Sequence, residues 1–183
     1  MAYTLDRFAA ECRDILTSDP GPVGRRQVVG ILESLLQEDD FIAEHCGPDA
    51  DPGAHVLYED SALGFQVLAH VMNNARTGGP HDHGASWAIY GQAVGHTDMT
   101  EYRRLDDGSE DGKAEIEIDR DYRLVRGQAG IFDDGKIHSI DYPDGARFIR
   151  VTGCDLSTIP RGRYDRDAGT MEMSFRENYK GAN

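Results

Sequence analysis

The chemistry-bearing stretch of this chain is Pro80-His81-Asp82-His83-Gly84-Ala85-Ser86-Trp87-Ala88-Ile89-Tyr90-Gly91. Side chains alternate faces along a strand, so His81 and His83 on a strand would project to the same side while Asp82 points the other way. Imidazole is a common metal ligand, and two on one strand face make half a chelate. A third histidine, His138 in Phe132-Asp133-Asp134-Gly135-Lys136-Ile137-His138-Ser139-Ile140, is the candidate that completes an open metal site. The competing reading is a pair of strand histidines satisfied by hydrogen bonds.

Other side chains qualify as neighbours of such a site. Arg150 would share a strand face with Phe148 and Thr152, and an inward arginine can clamp a carboxylate through paired N–H donors. A surface arginine paired with one of the many acids is an equal reading. Trp87 is the sole tryptophan, and parity counted from His81 and His83 turns it inward past the metal, as core filling or as a pocket floor. Tyr142, with Tyr90 and Tyr102, is a candidate acid or hydrogen-bond donor that spacing does not single out. His70 and Gln66 share a face of an earlier strand, where a satisfied barrel histidine is the simpler reading.

The elements that must position these residues follow from the patterning. At 183 residues the chain is long enough for one domain with a proper core. Hydrophobic residues make up 39% and charged residues 28%, a balance that fits a globular chain rather than a disordered one. Residues 1–47 read as a helical cap: Leu5, Phe8, Ala9, Cys12, Ile15 and Leu16 form one apolar stripe, and Val28, Val29, Leu32, Leu35 and Leu36 form a second after the break at Ser18–Pro22. From His55 the pattern changes to short alternating runs: 55–58, 64–72, 84–90, 94–103, 114–119, 122–126, 129–132, 137–141 and 146–152. Many short strands at this spacing indicate an all-β sandwich or barrel over 55–155. The extension 156–183 is polar, with Arg161, Arg163, Arg166 and Arg176 among acids, and reads as a surface wrap.

Composition also excludes partners. With 33 acidic and 19 basic residues the formal charge is −14, which argues against nucleic acid and anionic membrane surfaces. It leaves room for a small anionic substrate at a locally basic site. No stretch is apolar and long enough to span a membrane. Met1–Arg7 lacks a signal peptide's basic start and apolar run, and the three cysteines, Cys12, Cys46 and Cys154, show no CxxC spacing. Reduced thiols and a cytoplasmic location are the expectation.

Two short motifs in this all-β context resemble the cupin superfamily. His81, His83 and Gly95 fit its first motif, with the usual Glu missing at Trp87 or Ala88; Gly127, Gly135 and His138 fit the second, with Asp133 in place of the usual Pro. The resemblance implies a double-stranded β-helix, jelly-roll-like barrel with a short helical segment before it. Three histidines without a carboxylate, and the string His81-Asp82-His83, are similar to the thiol dioxygenases, the group of cysteine dioxygenase. That likeness implies Fe(II) held by the three histidines, dioxygen as co-substrate, and a small thiol oxidised to its sulfinate. The metal itself stays open at this stage, since zinc, nickel, copper or manganese also occupy such sites. So does the reaction: a divalent-metal lyase or isomerase, or a dioxygenase acting on a non-thiol organic acid, fits the same residues. The chain departs from the group at Ala88, where a crosslinking cysteine would stand. Phe148, Arg150 and Thr152 stand where a Ser-His-Tyr relay would fall. The ligand set is retained while the recognition set for L-cysteine is not. The superfamily likeness also implies a possible homodimer.

Overall fold

The computed structural model describes residues 3–175. Three helices come first: α1 (Leu5–Ser18), α2 (Pro22–Leu35) and α3 (Asp39–Cys46). Thr4 caps α1 by accepting from the Arg7 amide, and proline opens α2 at a position where its missing N–H costs nothing. The third helix, not separated from the second in the sequence pattern, follows the turn at Leu36–Glu38.

Eleven strands follow: β1 (Gly53–Glu59), β2 (Gln66–Val71), β3 (Arg76–Thr77), β4 (Ala88–Val94), β5 (His96–Arg104), β6 (Ile116–Val125), β7 (Ala129–Phe132), β8 (His138–Tyr142), β9 (Arg147–Thr152), β10 (Arg161–Asp165) and β11 (Thr170–Ser174). They build a five-stranded sheet in the order β1-β2-β9-β4-β7 and a four-stranded sheet in the order β3-β8-β5-β6. All pairs are antiparallel. These are two antiparallel β-sheets enclosing an interior, preceded by helices. The runs 114–119 and 122–126 join in one strand, β6, because Arg120 and Asp121 between them pair with β5 and the register shift at Asp119 is absorbed without breaking the ladder. The expected surface wrap after Ile159 is instead a β10–β11 hairpin. Arg176 lies outside the described residues. No helix is long and apolar enough to cross a membrane among the described residues.

Two apolar cores divide the labour. The outer face of the five-stranded sheet (Val67, Ala69, Ile89, Ile149, Val151) packs on Phe8, Val28, Leu32, Leu35 and Leu36 of the helices. Gly91 lies under this contact: a Cβ there would come within 2.8 Å of Leu32 and 2.7 Å of Leu36. The inner core, between the sheets, holds Ala88, Tyr90, Met99, Leu124, Phe132, Tyr142 and Phe148. The helices thus brace one sheet from behind and leave the interior to the site.

Candidate metal centre

The histidines meet at the end of the inner core. His81 forms single-residue bridges to His138 and to Arg163, with mutual amide–carbonyl bonds of 2.9 Å between His81 and His138. One ring nitrogen from each of His81, His83 and His138 lies within 4.8 Å of the others. His83 and His138 are buried; His81 is half-buried. The two residues His81 and His83 do not stand on a long strand, as the alternation suggested. The chain turns at Gly84, whose φ of +61° and contact with the Pro160 carbonyl leave no room for a side chain.

That turn explains where Trp87 goes. Alternation counted from His83 does not survive a left-handed residue, so parity resets before β4. Trp87 packs with the helix-side core, under the Arg25 guanidinium at 5.7 Å, and not in the chamber beyond the histidines. Tyr142 does face the inner core, but its hydroxyl donates to Met72 Sδ at 3.2 Å, four residues along β8 from His138. At about 3.3 Å per residue that is some 13 Å from the histidine. Arg150 lies directly across from Tyr90 on β4 and from Leu68 on β2, which turns all three to the interior. His70 stacks on Phe148 at 4.7 Å, and Gln66 donates to Glu59, so neither belongs to the cluster.

The imidazoles are held in a ligand-competent form. His81 Nδ1 lies 3.0 Å from the Gly79 carbonyl and His138 Nδ1 lies 3.3 Å from that of Lys136. A carbonyl accepts only, so each Nδ1 carries a proton and each Nε2 is the nitrogen left to ligate, the arrangement seen at metal-bound histidines. Phe132 stacks on the His138 ring at 3.8 Å and fixes its plane. Ligand nitrogens sit about 2.1 Å from a bound ion, so the rings must draw in from their present spacing for one cation to reach all three. The donor set is three neutral imidazoles with no carboxylate among them. The site fits a divalent transition metal; it does not choose which.

Supports for His138 come from both sides. Glu101, directly across from it on β5, is a buried carboxylate bonded by Arg120 (2.6 Å), Tyr122 (3.0 Å) and Lys136 (3.1 Å). Burial alone would raise its pKa, but those three donors outweigh it and hold it below the usual value. Lys136, so anchored, presents its carbonyl to His138. From the other side Arg25 of α2 bonds Asp133 (3.0 Å) and Asp134 (3.2 Å) in the loop that delivers His138, while covering Trp87 beyond His83. The helical cap, which carried no chemical signal in the sequence, thus braces both ligand-bearing segments.

Two residues gain importance only in three dimensions. The Tyr90 hydroxyl lies 3.2 Å from His83 Nε2, with its ring 5.7 Å from both Phe132 and Phe148. Arg161, from the C-terminal hairpin, has Tyr90, Arg150, Arg163 and Arg76 as its electrostatic neighbours. Nothing in its local pattern marks Arg161, because the contact spans some seventy to eighty residues and depends on how the hairpin docks. Asp82 does that docking. Its buried carboxylate accepts from the amides of Gly84 and Gly162, both 2.8 Å, and from the Tyr164 hydroxyl at 2.7 Å. Grooves elsewhere on the surface, such as the one lined by Arg76, His96, Asp141 and Tyr142, do not contain the histidines.

No protein-family model matches the chain. No curated protein matches it either. Solved structures do resemble it in part. KdgF from Halomonas sp. is 16% identical, with a TM-score of 0.41, over 57% of this chain and 82% of that one. A cupin superfamily protein from Desulfitobacterium hafniense is 13% identical, TM-score 0.39, over 56% and 76%. Hydroquinone 1,2-dioxygenase PnpCD, solved with Cd2+ and 4-hydroxybenzonitrile, is 11% identical, TM-score 0.44, over 61% and 69%. At these values the likenesses concern the shape of the barrel alone.

Proposed function

We propose that this chain is a metal-dependent cupin oxygenase that uses Fe(II) to convert a small anionic thiol to its sulfinate with dioxygen. The observation that carries the reading is the convergence of three neutral imidazoles, without a carboxylate, at the end of the inner core. His81, His83 and His138 would hold the metal. When bound, the metal would supply the electronic coupling between thiolate and dioxygen that neither reactant has alone. Both oxygen atoms enter the sulfinate, so the overall conversion needs no external reductant.

The protein's own groups account for the remaining work. Arg150, turned inward opposite Tyr90, orients the substrate's anionic end. The Tyr90 hydroxyl, 3.2 Å from His83 Nε2, stands within reach of any group placed at the cluster and can donate a hydrogen bond to it. Phe132 and Phe148 line the interior behind it and limit water.

The test is metal content of protein purified without added metal, followed by dioxygen uptake after Fe(II) reconstitution with a panel of small thiols. Iron near one per chain with thiol-dependent uptake supports the proposal. Turnover that continues without dioxygen overturns it in favour of Lewis-acid chemistry.

A further inference from the structure

The wall beside the histidines is unusually cationic for so acidic a chain. The bridge between His81 and Arg163 sets Arg163 on the histidine face of β10, and Arg161, two residues back, on the same face. Arg150 faces the same interior from β9, opposite Tyr90, and is an electrostatic neighbour of Arg161. Eight arginines elsewhere (Arg7, Arg13, Arg25, Arg103, Arg104, Arg120, Arg123 and Arg126) have carboxylate partners. Among the described residues Arg150 and Arg161 have none, and the Nε of each is buried without a hydrogen-bond acceptor. Burial first, and then Arg163, lower the Arg161 pKa. Two half-buried guanidiniums, near each other and each with its Nε donor unpaired, are costly unless an anion completes them.

We propose that Arg150 and Arg161 jointly bind a doubly negative oxyanion group, so that the substrate is a small organic dianion and not a monocarboxylate. This rests on the proposed function for where the reacting group lies, but the anion site stands on its own residues. Each guanidinium offers a planar pair of N–H donors, so two of them match a dicarboxylate or one dianionic phosphate-type group. Arg163, exposed at the rim, adds to the positive field that draws such an anion in. The Asp82 clamp on Gly162 fixes the position of Arg161 next to it.

The test is calorimetric and thermal titration of the whole protein with succinate, inorganic phosphate and acetate, metal-free and Fe(II)-loaded. Wild type, Arg150→Met, Arg161→Met and Arg161→Lys are compared. The expected result is succinate or phosphate binding at least tenfold tighter than acetate, with a tenfold or greater loss in either Met variant and partial rescue by Arg161→Lys. Which of succinate and phosphate binds tighter identifies the kind of dianion. Without ligand, Arg161→Met should melt higher than wild type, since it removes an uncompensated charge. Acetate binding as tightly as both dianions, or succinate and phosphate affinities unchanged in Arg161→Met and Arg161→Lys, overturns the proposal. Metal binding without dianion preference sinks this inference alone; dianion binding by a chain that takes no metal sinks the proposed function alone.

Discussion

The Tyr90 hydroxyl is 3.2 Å from His83 Nε2, at the edge of the histidine cluster. Its ring is wedged between Phe132 and Phe148, so the hydroxyl has little freedom to leave. Tyr90→Phe keeps that packing and removes only the oxygen. We expect bound metal to stay at the wild-type level and kcat to fall by about 10²-fold, the usual scale for a positioned proton donor. Metal analysis beside steady-state kinetics checks this; an unchanged kcat would remove Tyr90 from the chemistry.

His83→Ala should abolish both metal retention and turnover, because two imidazoles rarely retain an ion that three are arranged to hold. Its fold should persist, since no regular strand depends on residue 83. The check is metal stoichiometry with circular dichroism on the same sample. Retained activity in a metal-free His83→Ala protein would rule out the metal reading.

Asp82→Ala strips the C-terminal hairpin of two hydrogen bonds and leaves the Gly162 amide and the Tyr164 hydroxyl buried without acceptors. Loss of stability of about 2–4 kcal/mol is expected in denaturant melts. Protease cleavage near residues 155–161 should also accelerate, as the hairpin undocks before the barrel opens. Stability within experimental error of wild type would mean that the apolar contacts of Tyr164 with Ile116 and Ile137 hold the hairpin unaided.

Gly91→Ala inserts a methyl group where Leu32 and Leu36 already touch the β4 backbone. The helices must move outward, at a cost of about 1–3 kcal/mol. Because α2 also carries Arg25, the displacement should weaken metal affinity although Gly91 is on the far side of the sheet. Competition with a coloured chelator measures it, and unaltered affinity would separate the brace from the site.

Asp60 sets an acid limit on stability. Burial would push its carboxyl up, but the Leu63 and Ala62 amides and Arg13 outweigh this and hold it at about 2, against a usual 3.8. A carboxylate depressed in the folded state stabilises fully above the unfolded value. That contribution is lost as pH falls through about 2. Between pH 4 and pH 2 wild type should therefore lose stability more steeply than Asp60→Asn, which lacks the titration. Parallel acid melts of the two proteins test it.

What was legible in the sequence followed from alternation and local punctuation. His81, His83 and His138 come together as their spacing implied, and Asp82 points away from them. Arg150 shares its strand face with Phe148 and Thr152 as alternation implies, although alternation alone leaves open whether that face turns inward. Trp87 was misplaced because one left-handed glycine lies between it and the histidines, and periodicity does not cross such a residue. Arg161 stayed hidden for a different reason. The hairpin is polar, so no apolar pattern announces it; it is held by a buried carboxylate whose partners are some eighty residues away.

The Asp82 clamp has one more consequence. The metal ligands come from the barrel and its His81 segment, while Arg161 arrives on a hairpin fastened by one carboxylate, a small apolar patch and backbone bonds to the strands beside it. The three histidines and one of the two proposed anion-binding arginines are therefore on separable pieces of chain. A hairpin of the same length that kept Gly162 and Tyr164 but changed residue 161 would dock in the same way and present a different group to the chamber. The same barrel could be re-addressed to another ligand by grafting a dozen or so residues, without disturbing a single histidine.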